Sequence, residues 1–178
     1  MRKYADDYEI VYEEGKKGKE KQVAVYKGQY FQVNVKEAHL VNFRRISVLL
    51  IIIVLLLHIG SGFVNHRETL FRFLELPYAI AFLPLYFLVV GVLRLPREKR
   101  KLRRDEVDLS FGRMKKSSYS FLIILLVGLL GNIVFLVLLA KEAVWQEYLY
   151  FALQALAALG TFIIIRFQKP IEVLVCED

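Results

Sequence analysis

YSFLIILLVGLLGNIVFLVLLA occupies residues 119–140 and contains no Asp, Glu, Lys or Arg. At 1.5 Å per residue the run makes a helix of about 33 Å, enough to cross a hydrocarbon core about 30 Å thick. Helices in water-soluble cores seldom reach that length without a polar face. The segment therefore predicts a transmembrane helix. Working outward, three further blocks have the same character. ISVLLIIIVLLLHIGSGFV covers 46–64, PYAIAFLPLYFLVVGVL covers 77–93, and 143–165 is apolar apart from Glu147 near its start. The predicted fold class is an all-α membrane protein, a four-helix bundle with spans 46–64, 77–93, 119–140 and 143–165.

The mean hydropathy of +0.41 coexists with 24% charged residues because the two kinds of residue are segregated along the chain. Ten Lys and Arg precede the first span and ten more fall between Arg94 and Lys116. Arg67, Arg72 and Lys141 alone occupy the other two connections, while Arg166 and Lys169 follow the last span. With both termini inside, 22 cationic residues are cytoplasmic and 3 external. The positive-inside rule then predicts a multi-pass cell-membrane protein whose N- and C-termini are both cytoplasmic. The formal charge of +7 matches anionic inner-leaflet lipid better than nucleic acid, because it is concentrated beside the spans. Contact with such lipid is expected from Arg97, Lys99, Arg100, Lys101, Arg103, Arg104, Lys115 and Lys116. Val107, Phe111 and Met114 fall at helical spacing beside that run, predicting a short amphipathic helix on the inner membrane surface. Trp145, Tyr148 and Tyr150 are expected at the outer interface.

The first 36 residues read as a cytoplasmic β module. Alternating stretches at 8–12, 22–26 and 30–35 are separated by Gly- and Lys-rich turns, which predicts a three-stranded antiparallel meander. Such a sheet is close to the minimum for independent stability. The tail, residues 167–178, has strand character at 171–175 and is expected to add an edge strand to it, the alternative being a disordered tail. Residues 37–166 make up the bundle, with 94–118 as its basic cytoplasmic loop. Pro84 predicts a kink in the second span.

His58, Asn132 and Gln154 are polar residues inside the spans. Counted from the inner end of each span they lie roughly 18, 20 and 17 Å in, all at one level. The favoured reading is a structural cluster whose interhelical hydrogen bonds hold the register. The competing reading is a small-ligand site or a proton relay through His58. Small residues, including Gly60, Gly62, Gly128, Gly131 and Gly160, predict close helix approach.

No HExxH pair, paired intramembrane aspartates, nucleophile elbow or P-loop is present, and Cys176 is the sole cysteine. No catalytic residue, metal or cofactor is expected, and the chain does not read as an enzyme. The leading expectation is a non-catalytic accessory or interaction protein that binds or regulates a membrane protein partner through its cytoplasmic face, with a homo-oligomer as the other partnership open to it. The alternative is a transporter component for a small or apolar solute. Finally, Tyr26-Lys-Gly-Gln-Tyr30, Leu76-Pro-Tyr-Ala-Ile-Ala-Phe-Leu-Pro84 and Arg166-Phe-Gln-Lys-Pro170 resemble small four-span membrane proteins of unknown function from Gram-positive bacteria. That resemblance covers most of the chain and implies a bacterial membrane, with no activity attached.

Overall fold

The computed structural model describes residues 4–14, 20–64, 72–138 and 144–176. In order these form β1 (Tyr8–Glu14), β2 (Glu20–Tyr26), β3 (Phe31–Val33), α1 (Glu37–Gly62) and α2 (Arg72–Leu93). They continue with α3 (Arg104–Leu138), α4 (Trp145–Gln168) and β4 (Val173–Val175). Among the described residues four helices are long and apolar enough to cross a membrane. The protein is a multi-pass membrane protein: a four-helix bundle with a small antiparallel β module.

The helices form a ring in which each packs on its chain neighbours, α2 on α3, α3 on α4 and α4 on α1, with a smaller contact between α1 and α2. Their inward faces follow alternating steps of three and four residues. On α1 the buried positions are Leu40, Phe43, Ser47, Ile51, Val54, His58 and Ser61. On α2 they include Ala81, Leu85, Leu88 and Val92. This is the spacing of a left-handed helical seam. The opposite faces expose Leu49, Ile52, Leu56, Leu83, Leu130 and Val137. In water that surface would drive aggregation, whereas among lipid tails it is the solvated side.

Small residues set the closest approaches. A Cβ on Gly91 would meet the backbone of Met114 on α3, and one on Gly160 would meet Val54 on α1. Gly62 makes room for the Tyr78 hydroxyl, but Gly60 has open space around it. Helix α2 runs on through both Pro77 and Pro84.

Three segments distant in sequence meet at one end of the bundle. The strands preceding α1, the connection after α2 and the tail after α4 share a second cluster built on Val33, Leu40 and Leu102, with Ile171 against it. Both termini and residues 94–112 therefore lie at the same end.

The strands divide differently from the expected meander. β1 and β2 form a hairpin in register Tyr8↔Tyr26 to Glu14↔Glu20. β3 instead pairs with β4, making a second two-stranded sheet. The reason is that both edges of β3 are taken. On one side Asn34 donates to the Glu172 carbonyl and Cys176 to that of Tyr30. On the other, Phe31 and Leu102 exchange backbone hydrogen bonds of 2.8 and 2.7 Å. No edge is left for β2. The tail strand forms, but its partner is β3 alone.

A second correction concerns residues 105–114. They are not a separate helix on the membrane surface. Helix α3 starts at Arg104, passes through a π-helical turn at Asp108–Gly112 and continues into the third span. The apolar face that suggested lipid contact is covered by the protein itself. Met114 is wholly buried, and Val107 and Phe111 pack on the Val33–Leu40–Leu102 cluster.

Candidate functional site

Two places gather the polar and chemically distinctive residues, one inside the bundle and one at the end that holds the termini.

Inside, the seam positions bring His58 and Ser61 of α1 against Gln154 of α4. The Gln154 side chain lies 3.3–3.4 Å from His58 Nδ1 and also donates to Ser61 Oγ. Ser61 passes its own hydrogen to the His58 carbonyl at 2.7 Å. Rings of Tyr78, Phe82 and Phe121 surround the imidazole at centroid distances of 4.6, 4.7 and 5.4 Å. His58 Nε2 has no hydrogen-bond partner among the described residues. Such an arrangement holds an imidazole between two helices in an aromatic box. Of the three residues singled out in the sequence, His58 and Gln154 meet. Asn132 is buried on α3, yet neither of its amide atoms has a hydrogen-bond partner among the described residues.

Ser61 escaped the sequence reading, although its place three residues after His58 was the available signal. Glu147 and Tyr150 lie two turns and one turn before Gln154 on the same face of α4, and both are buried. Tyr150, expected at the outer interface, instead faces the bundle, while Trp145 and Tyr148 are exposed. Space near the cluster is small: about 10 Å³ beside Tyr78, Tyr150 and Gln154. That is at most about one water.

At the other place, the hairpin is fixed at its root and bare towards its tip. Tyr26 is the anchor. It is buried, stacks edge-on with Tyr8 and Tyr30, donates to the Gln29 carbonyl at 2.8 Å and accepts from the Arg104 amide at 3.1 Å. The Arg103 guanidinium lies 5.6 Å from the centre of the same ring. Tyr4 donates to Asp108 at 3.0 Å, adding a further tie from the N-terminus to α3. Beyond this root Ile10 and Tyr12 are 62% and 61% exposed, and they share one face of the ribbon with Ala24. Among the described residues the ribbon has no third strand, so both outer edges carry unpaired backbone groups.

The eight cationic residues assigned to lipid are all exposed, but they differ in their surroundings. Arg100 grips Glu106 through two bonds of 3.0 and 2.6 Å. Glu106 also accepts from the Arg103 amide at the start of α3. The Arg100 hydrogen bond holds the Glu106 carboxyl below the usual range. Arg104 lies 3.9 Å from Asp7. Arg97 and Lys99 stand on the connection ahead of α3, and Lys115 and Lys116 where α3 becomes apolar. Among the described residues no three His, Cys, Asp or Glu side chains are grouped as a metal would require. Comparison with protein-family models, curated proteins and solved structures finds no match for the chain.

Proposed function

We propose that this is a non-catalytic accessory protein of a bacterial cytoplasmic membrane, which docks a membrane partner through its cytoplasmic face. The observation that carries the reading is the β1–β2 hairpin, rigidly rooted at Tyr26 yet presenting Ile10 and Tyr12 to solvent. A lone two-stranded ribbon is marginal in water. Its apolar face and open edges suit an extended segment of a partner, added as a further strand. The charge asymmetry of the sequence supports a cytoplasmic position for that end.

A role in transport has less support. The polar cluster is enclosed by aromatic rings, and the nearby space of about 10 Å³ provides no solute path in this conformation. The cluster serves better as a fastener between α1 and α4.

The test is purification from native membranes in mild detergent, with native mass measurement and identification of co-eluting chains. A stoichiometric membrane protein that is retained by the wild type and lost with Ile10→Glu/Tyr12→Glu supports the proposal. A homo-oligomer without a second chain, or a partner indifferent to that pair of substitutions, contradicts it.

A further inference from the structure

A cleft of about 600 Å³ opens where α3 and α4 leave the apolar zone and the tail crosses them. Its apolar floor comes from Phe43, Phe111, Ile165 and Ile171. Lys115 of α3 and Lys169, just past the end of α4, contribute to its wall. Gln168, another lining residue, donates to Ser118 at 3.4 Å and ties the two helices together at this level. A second, largely apolar furrow of about 410 Å³ shares Phe43 and Ile171 with the first and runs along α1.

We infer that the cleft is a binding site for a single anionic glycerophospholipid, its phosphate between Lys115 and Lys169 and an acyl chain running past Tyr119 and Ile165 toward the bilayer. Charge complementarity and depth carry the assignment. Both lysines are exposed beside the ends of the third and fourth apolar runs, and Tyr119 and Ile165, each one turn nearer the spans, line the same cleft. The carboxylate on the rim, Glu172, is turned to Asn34, whose side-chain amide donates to it at 3.4 Å. A bound lipid there would join α3, α4 and the tail strand. This site differs from the diffuse attraction expected of the basic connection, because it combines two specific cations with a shaped apolar surface. It is independent of the hairpin.

The experiment is native mass spectrometry of the full chain, released from mixed micelles holding equal phosphatidylglycerol and phosphatidylcholine. Wild type should retain one phosphatidylglycerol in preference to phosphatidylcholine. K115Q/K169Q should lower that retention roughly tenfold or more, since each juxtamembrane cation contributes appreciably. K115R/K169R should keep it, and R45Q/R94Q, which removes the same charge beside the first two spans, should stay within about twofold. If K115Q/K169Q fails to fold, either single substitution should still lower retention about threefold. Equal losses in the two Gln pairs, unchanged retention in the Lys115/Lys169 variants, or equal retention of phosphatidylcholine would each overturn the site.

Discussion

A Cβ added to Gly91 would stand 2.8 Å from the backbone nitrogen of Met114, so α2 and α3 touch main chain to main chain at this point. Backbone cannot step aside as a flexible side chain can. Gly91→Ala should therefore destabilise the bundle by about 1–3 kcal/mol, despite the better helix propensity of Ala. Gly60→Ala, with open space around it, should be neutral or slightly stabilising. Thermal unfolding of both variants in one detergent checks the contrast.

The polar cluster yields a second contrast. Gln154→Leu keeps the volume but removes the contacts to His58 and Ser61, and should cost about 0.6–2 kcal/mol. Asn132→Leu removes no hydrogen bond between described residues and should leave stability unchanged or raise it. Unfolding midpoints that fall equally for the two variants would refute this division of roles.

Acid should loosen the start of α3. A carboxyl whose pKa is lowered by folding contributes stability above its ordinary value, and that contribution is lost as pH falls through the lowered one. Glu106 is such a group, held down first by its hydrogen bond from Arg100. Amide protection factors around 100–106, taken relative to the intrinsic exchange rate at each pH, should fall below about pH 4 in the wild type. Glu106→Gln should show low protection already at neutral pH, with little further change in acid.

The tail strand is also testable. Ending the chain after Pro170 removes β4 and takes Ile171 away from the Val33–Leu40–Leu102 cluster. Limited proteolysis should then cut near 31–36, a region protected in the full chain, while the spans remain intact.

Much of this architecture is legible in the sequence, because a bilayer demands long uncharged runs and Lys and Arg resist translocation. The inward face of each span is harder to read. Leu, Ile and Val occur on both sides of α1, so apolar periodicity fades, and the inward side is marked mainly by Ser47, His58 and Ser61. Depth counting brought His58 and Gln154 to one level, but depth carries no information on rotation about the helix axis. Asn132 shares the level without sharing the hydrogen bonds. Strand pairing was hidden for a different reason. The partners of β3 lie at Leu102 and at 173–175, far along the chain, whereas local spacing favours the nearest strand. Tyr26 reads as one tyrosine among ten, since the two contacts that tie it to α3 come from residues 103 and 104, far along the chain.

The exposed hairpin face is proposed to meet a partner. A photo-crosslinking amino acid at Tyr12, activated in native membranes, tests it directly, with the same probe at the lipid-facing Leu130 as the reference. One discrete product is expected at position 12, of a mass that requires a second kind of chain, absent at position 130 and lost in Tyr26→Ala. Products only with lipid, only with a second copy of this chain, or identical at the two positions would contradict it.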